Sequence, residues 1–582
     1  MRIGIKSPHT YGLGGGFSVV WWFLYALREL KHDVVYFKQG KVHPIILNNW
    51  FGDVPIVDYQ LGVERGFDVF ISISHFDWAQ PLAQENMAFV FFPQIDTPPP
   101  EGVRLYTVSQ YCANHVKHKW GRDAEVMYIP IKGVFRPLQK EKMILHVSRF
   151  TEPSEWADKA HRQMIQVFKM YQNDLQDWQL VMAGALDPNM EDYFNELTYR
   201  ASSRNILFYV NPTDLEMANL YGRSSFYWHA TGISLPHIPS AQEHLGLAPL
   251  EAQAAGCVPV VFNSGGMPEV VIHGKTGALV DDARQLGKIT VDLSHDWSAW
   301  SGLSQQGMRW ARRWQDFESF KMRLIYSLAS MPIPSLPDYE IEAPTISDVQ
   351  CVIPTYNNND MLKQCLDSLM KTAPGLRVLI INNGDPLPSW DYGEMVTVAN
   401  MESNLGFGGA LRVAESLVDN DAKYILLLND DTLCSFSGWL SFLLYEMAEP
   451  TVGITGPKLL FGDGRIQFAG GAIDFNRDDV GYHIGYGMPD SIEFNQRKVV
   501  PFVTGAAMLL RRELFHLPDE LLNGLNYEDP WLCLVAAEKG YQTTYQPASA
   551  LFHLEGITKV RTLDWKEKVE INKAQFIKRW RR

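Results

Sequence analysis

Short apolar runs punctuate the first 330 positions, each followed by a longer stretch with helical spacing. The runs Arg2–Lys6, Asp33–Phe37, Val69–Ile73, Ala88–Phe92 and Tyr106–Ser109 predict strands within residues 1–135. Residues 136–330 repeat the style, with strands predicted at Met143–Val147, Gln179–Ala183 and Pro259–Phe262. Strands alternating with helices imply parallel sheets covered on both faces. The expectation is α/β, with two Rossmann-like lobes facing a cleft. The periodicity then fails: four prolines fall between Met331 and Pro344, and proline removes a backbone donor and stops helix and sheet alike. Residues 331–347 read as a linker. A new α/β unit, 348–582, opens at Val349-Gln-Cys-Val-Ile-Pro354-Thr-Tyr-Asn357 and continues through Arg377–Asn382 and Tyr424–Leu428, a single Rossmann-like domain.

Composition narrows the function classes. A length of 582 residues exceeds one core, so several folding units are expected. A net charge of −14 argues against nucleic-acid binding, which needs a basic surface. The six cysteines are scattered without a CxxC pair, so neither a zinc site nor a disulfide framework is indicated. Reduced thiols fit a cytoplasmic protein. The first residues read as a strand rather than a signal peptide. The longest apolar run, Phe17 to Leu27, is about half a membrane span. The stretch Lys566–Arg582 carries seven Lys/Arg and two Glu, with Val569, Phe576, Ile577 and Trp580 near one helical face. That face suits either packing on its own domain or peripheral contact with the inner face of a membrane.

Two constellations carry chemistry. The first is Glu243-His-Leu-Gly-Leu-Ala-Pro-Leu-Glu251, followed by Gly256-Cys-Val-Pro-Val and Gly265-Gly-Met-Pro-Glu-Val-Val. Gly246 lets backbone approach a ligand, the helix behind it turns its first amides toward a diphosphate, and Glu251 suits ribose hydroxyls. Gly12 to Gly16, including Gly14 and Gly15, form a glycine-rich loop after the first strand. His75 follows a later one. Taken alone, the loop fits a flexible turn and His75 a structural histidine.

This first constellation, with Trp228-His-Ala-Thr-Gly232, resembles the GT-B glycosyltransferases of family 4, the retaining group 1 enzymes. The resemblance implies that Arg149 and Lys159 hold the donor diphosphate and that Glu251, Gly14 and Gly15 complete donor binding. It also implies that Glu243 and His75 act at the sugar, without a metal or other cofactor in this half.

The second constellation lies after the linker. A buried strand delivers Asn429-Asp430-Asp431-Thr432, and clustered acids at a strand end call for a cation or donors. Val503-Thr-Gly-Ala-Ala, Asn526-Tyr-Glu-Asp529-Pro-Trp and Leu551-Phe-His553 follow. Asp529 is of the type that takes a proton from an acceptor hydroxyl, and His553 of the type that ligates a metal through neutral imidazole.

These motifs, over about 350–556, resemble the inverting GT-A glycosyltransferases of family 2, in particular a rhamnosyltransferase-like branch. The resemblance implies a divalent cation, Mg2+ or Mn2+, held by Asp431 and His553, with Asp430 beside it on the donor and Asp529 as catalytic base. Pro354, Tyr356 and Asn357 would edge the base and ribose pocket. Asn382 stands where such enzymes often carry Asp, and Asn429 where they carry the first acid.

The two resemblances together imply a bifunctional enzyme using dTDP-, UDP- or GDP-linked sugars on a glycan or lipid-linked glycan acceptor, as in O-antigen or capsule synthesis. Other readings are one active domain beside a glycan-binding scaffold, and a non-enzymatic assembly protein. The intact Asp430, Asp431, Asp529 and His553 speak against the last, since binding alone needs no base opposite a metal.

Overall fold

The computed structural model describes every residue except 9–14, 39–53, 61–65, 74–82, 155–157, 334–343, 437, 522–524, 555–564 and 582. Gly12, Gly14 and His75 lie outside the described residues. The chain divides into two compact units. The first comprises Met1–Arg136, Lys140–His295 and Gln306–Tyr339, and the second Pro137–Gln139, Asp296–Gln305 and Glu340–Arg582. Residues 296–305 thus belong to the second unit, although their sequence position lies within the stretch read as the second lobe.

The first unit holds two parallel sheets. In the first, β1 (Arg2–Ser7), β2 (Asp33–Lys38), β3 (Ile56–Asp58), β4 (Val69–Ile73), β5 (Glu85–Val90), β6 (Val103–Thr107) and β7 (Glu125–Val126) lie in the order β3-β2-β1-β4-β5-β6-β7. In the second, β8 (Glu141–Val147), β9 (Gln179–Gly184), β10 (Ile206–Val210), β11 (Ser224–His229), β12 (Val258–Phe262) and β13 (Ala278–Val280) lie in the order β10-β9-β8-β11-β12-β13. Their central strands are continuous apolar runs: all six residues of β11 and all five of β12 are buried, as expected where helices cover both faces. The strand expected at Ala88–Phe92 instead runs Glu85–Val90. Pro93 ends the run, and Phe92 leaves the sheet to stack on His244, ring centroids 4.8 Å apart.

The second unit holds one mixed sheet and a separate two-stranded one. Its strands are β14 (Val349–Thr355), β15 (Arg377–Asn382), β16 (Val396–Asn400), β17 (Tyr424–Leu428), β18 (Thr432–Leu433), β19 (Val452–Leu460), β20 (Ile466–Phe468), β21 (Gly471–Ile473), β22 (Gly481–His483), β23 (Lys498–Val499), β24 (Ala507–Arg511) and β25 (Gln542–His553). The main order is β16-β15-β14-β17-β24-β19-β25-β18, with β20 on β19 and β23 on β25, while β21 and β22 pair apart. β14 to β17 are mutually parallel, and β24 runs against β17.

Each of the three large sheets has a point where successive connections leave in opposite directions: between β1 and β4, between β8 and β11, and between β14 and β17. In open α/β sheets ligands bind beyond the carboxyl ends of strands at such points. Arg149 lies just past β8, and Asn429 to Asp431 just past β17.

The helix Trp565–Trp580 turns its apolar face onto the second unit. Phe576 is fully buried, its ring 5.2 Å from Tyr527, and Trp580 meets Trp531 at 5.8 Å. The face weighed for membrane contact therefore packs within the protein. Among the described residues no helix is long and apolar enough to cross a membrane.

Candidate functional site

In the first unit, glycine packing fixes Glu243. A Cβ on Gly265 would stand 2.1 Å from the Glu243 carbonyl oxygen, and one on Gly266 2.5 Å from that of His244. The Gly266 N–H donates to the Glu243 carbonyl at 2.8 Å. Only glycine permits this backbone contact. Gly246, at φ 98°, turns the chain into the helix Leu247–Ala254.

The Glu243 carboxylate accepts from Lys159 Nζ at 3.2 Å and lies 3.1 Å from His229 Nε2. Burial pushes this carboxyl up. Lys159 and His229 more than offset that and hold it well below the ordinary carboxylate range. The structure thus brings Glu243 and Lys159 together, and His229, at the end of β11, joins them. The Trp-His-Ala-Thr-Gly motif pointed to this place, but no role for its histidine could be read from sequence.

Asp158, fully buried, sets the Lys159 backbone. Its carboxylate accepts from the N–H groups of Ala160 at 2.9 Å and Ser234 at 3.1 Å. Arg149 is exposed, and among the described residues its guanidinium makes no ion pair. Glu251 stands apart from the Glu243 cluster in its contacts. It accepts from Tyr221 Oη at 3.0 Å, and burial raises its carboxyl to about 7. Gly15 begins the helix Gly15–Glu29. Glu269 of the Gly-Gly-Met-Pro-Glu motif caps the helix Gln110–Trp120, accepting from Gln110 N and Tyr111 N at 2.8 Å each.

In the second unit, Asp430 ties two strand ends together. It accepts from Thr355 Oγ1 at 2.6 Å and Asn358 Nδ2 at 3.0 Å. Burial raises it to about 6, against the pull of those two donors, and neighbouring Asp431 adds to the rise. Asp431 points elsewhere: its Oδ1 lies 3.0 Å from His553 Nε2. His553 Nδ1 faces the Gln467 amide oxygen at 2.7 Å. An amide oxygen only accepts, so Nδ1 carries a proton, and Nε2 is turned toward Asp431 and the Asn429 amide, 3.2 Å away.

This donor set fits a hard divalent cation. A carboxylate oxygen and an imidazole nitrogen 3.0 Å apart match adjacent ligands of an ion with bonds of about 2.1 Å. Gln467 supplies the outer hydrogen bond that orients a ligating histidine. Among the described residues no third His, Cys, Asp or Glu completes a cluster with them.

Asp529 opens the helix Glu528–Glu538 and accepts from the Gly505 N–H at 3.2 Å. The next residue, Ala506, accepts through its carbonyl from Asn429 N at 3.0 Å and Thr432 Oγ1 at 3.3 Å. One short segment therefore holds both the loop that bears Asp430 and Asp431 and the carboxylate of Asp529. Two left-handed residues, Asn526 and Tyr527, turn the chain into that helix. Fully buried Asn572 donates to the Asn526 carbonyl at 2.9 Å. Glu528 is buried, and burial, helped by Asp529, raises its carboxyl to about 8. Glu528 falls within the motif read from sequence but was given no role of its own, and Asn572 escaped that reading because nothing in its local pattern marks it.

The residues expected to edge the nucleotide pocket divide. Tyr356 is exposed and Pro354 half-buried at the end of β14. Asn357 accepts from Asp385 N at 2.7 Å. Asn382 is fully buried and turned inward: its amide donates to the Asp385 carbonyl and Asn400 Oδ1, and its oxygen accepts from Gly384 N. It shapes the loop from within.

Comparison with known proteins agrees with both halves. Residues 131–290 match the family model for glycosyl transferases group 1, and residues 350–517 that for glycosyl transferase family 2. The chain is 26% identical over 218 residues to the pre-mycofactocin glycosyltransferase of Mycobacterium tuberculosis, covering 36% of this chain and 43% of that protein. It is 25% identical over 192 residues to the O-antigen biosynthesis protein RfbC of Myxococcus xanthus, covering 29% of this chain and 14% of that protein. The matches thus span less than half of either relative. Among solved structures, HepE of Anabaena in complex with UDP and glucose is similar at 14% identity and TM-score 0.45, covering 57% of this chain and all of that one.

Proposed function

We propose, from the premise that this chain belongs to the glycosyltransferases as a group 1 region followed by a family 2 region, that it transfers two sugars from nucleotide-linked donors onto a growing glycan. The observation that carries the reading is the Gly505–Ala506 bridge, which joins the Asp529 carboxylate to the loop bearing Asp430 and Asp431.

In the second unit Asp529 takes the proton of the acceptor hydroxyl as that oxygen attacks the anomeric carbon, and the configuration inverts. Asp431 and His553 would hold a divalent cation, which would supply positive charge to the leaving diphosphate. Gln467 keeps His553 Nε2 on that side, and Asp430 fixes the approach of the two strand ends. Tyr356 and Pro354 edge the nucleotide.

In the first unit Arg149 and Lys159 bind the donor diphosphate, stabilising it as it leaves, and Glu251 takes the ribose hydroxyls. Glu243, held ionised by Lys159 and His229, faces the transferred sugar, which keeps its configuration. The relative named for O-antigen biosynthesis supports an acceptor of the surface-polysaccharide class.

Nucleoside diphosphate release from a panel of sugar nucleotides, with and without EDTA, tests this. An EDTA-sensitive share of release that His553→Ala removes supports the reading. Release that neither EDTA nor His553→Ala alters overturns it.

A further inference from the structure

Three buried side chains and half-buried Ser148, behind the first-unit cluster, form a continuous hydrogen-bonded chain. His146 Nδ1 lies 2.9 Å from the Trp228 carbonyl oxygen, and His146 Nε2 lies 2.8 Å from Ser148 Oγ. Ser148 Oγ lies 2.9 Å from His161 Nε2, and His161 Nδ1 lies 3.2 Å from Tyr193 Oη. His146, His161 and Tyr193 are all nearly or fully buried.

The proton positions follow by elimination. A carbonyl oxygen only accepts, so His146 Nδ1 carries hydrogen. Burial holds His146 well below the ordinary histidine range and His161 down to about 3, so both rings are neutral. His146 Nε2 therefore accepts, and the Ser148 hydroxyl gives it its only proton. The competing acceptor, the Arg149 carbonyl, is 3.5 Å away. Having donated, Ser148 Oγ accepts from His161 Nε2–H. His161 Nδ1 then accepts from the Tyr193 hydroxyl. Every link is satisfied and all donations run one way, from Tyr193 to Trp228.

The chain links two places that matter. Ser148 immediately precedes Arg149, past the end of β8, and His161 follows Lys159 by two residues at the start of the helix His161–Met170. We propose that Ser148 and His161 are positioning residues that fix the spacing of Arg149 and Lys159, the pair that grips the donor diphosphate. The inference rests on the reading of those two cations given above. It assigns a task to residues that touch no substrate.

The test uses the full chain. Histidine-selective 15N NMR reads the tautomers directly: His146 is expected as the Nδ1–H form and His161 as the Nε2–H form, neither titrating between pH 5 and 8. In parallel, the dissociation constants of UDP, GDP and dTDP are measured in EDTA. Arg149→Ala identifies the constant that belongs to this site. Ser148→Ala and His161→Phe are expected to raise that constant about tenfold. His161→Gln, which retains an N–H where Nε2 stood, is expected to restore it to within about threefold of the parent.

If Arg149→Ala changes no constant, the diphosphate reading itself fails. If Arg149→Ala weakens binding while Ser148→Ala and His161→Phe do not, the positioning role is overturned. Should His161→Phe fail to fold, the tautomers in the unaltered protein still decide, since the opposite tautomer on either ring breaks the chain.

Discussion

His553 Nε2 stands 3.0 Å from Asp431 Oδ1, with the imidazole turned there by the Gln467 amide oxygen on its far nitrogen. An imidazole nitrogen and a carboxylate oxygen at this distance can be joined by a proton or by a cation they both ligate. Gln467→Ala removes the orienting bond while leaving both ligands in place. It is expected to raise the Mg2+ or Mn2+ concentration for half-maximal activity by about 10–100-fold. A metal titration of the variant beside the parent checks it, and an unchanged midpoint would remove Gln467 from the account.

Asp529→Asn keeps the bond from Gly505, since an amide oxygen accepts as a carboxylate does, but it cannot take a proton. The turnover of the EDTA-sensitive transfer is expected to fall about 10²–10⁴-fold, with the donor KM within a few-fold of the parent. Steady-state kinetics with donor varied separates this from a loss of binding, which would move KM instead.

Glu528 gives a pH signature for stability. Its folded-state value of about 8 lies above the ordinary glutamate value of 4.5. As pH rises from 4.5 toward 8 the unfolded chain releases this proton first, so the folded state binds more protons and stability falls. Glu528→Gln has no such proton to lose. The variant is expected to unfold at a similar temperature to the parent near pH 5 and to gain on it steadily up to pH 9, by on the order of a few kcal/mol. Melting curves across that range check the sign, and a gap that narrows with pH would contradict it.

Phe576→Ala tests the placement of the last helix. Its ring is fully buried against Tyr527 and its neighbours, so truncation is expected to cost about 3–5 kcal/mol. Denaturant unfolding of the full chain reads this directly. A cost under about 1 kcal/mol would mean the helix does not pack as described.

The apolar runs at Val69–Ile73 and Tyr424–Leu428 coincide with their strands because a buried parallel strand leaves an apolar signature of its own length, whereas the strand expected at Tyr106–Ser109 runs Val103–Thr107, with Ser109 capping the next helix. Ala88–Phe92 shifted because its last apolar residues pack elsewhere: hydrophobicity marks burial and not the strand itself. Glu243, Asp431, Asp529 and His553 were singled out by motifs and the family resemblance those motifs carry, and the structure sets Asp431 beside His553. What stayed hidden depends on distance along the chain. Gln467 and His553 are 86 residues apart, and His146 and Trp228 are 82 apart. No local pattern announces such pairs, and a buried polar side chain looks like any other until its partner is known. Asn382 shows the converse, since its position after a strand suggested a ligand contact and its amide is instead taken up by its own loop.

The central claim is that two separate donor sites operate on one chain. It is tested most directly by nucleoside diphosphate release from UDP-, GDP- and dTDP-sugars, measured for the full chain, Asp529→Asn and Glu243→Ala. The account predicts that each variant silences one share of release and spares the other, and that EDTA reproduces the Asp529→Asn pattern alone. It is contradicted if either variant silences all release, or if EDTA removes the share that Glu243→Ala removes.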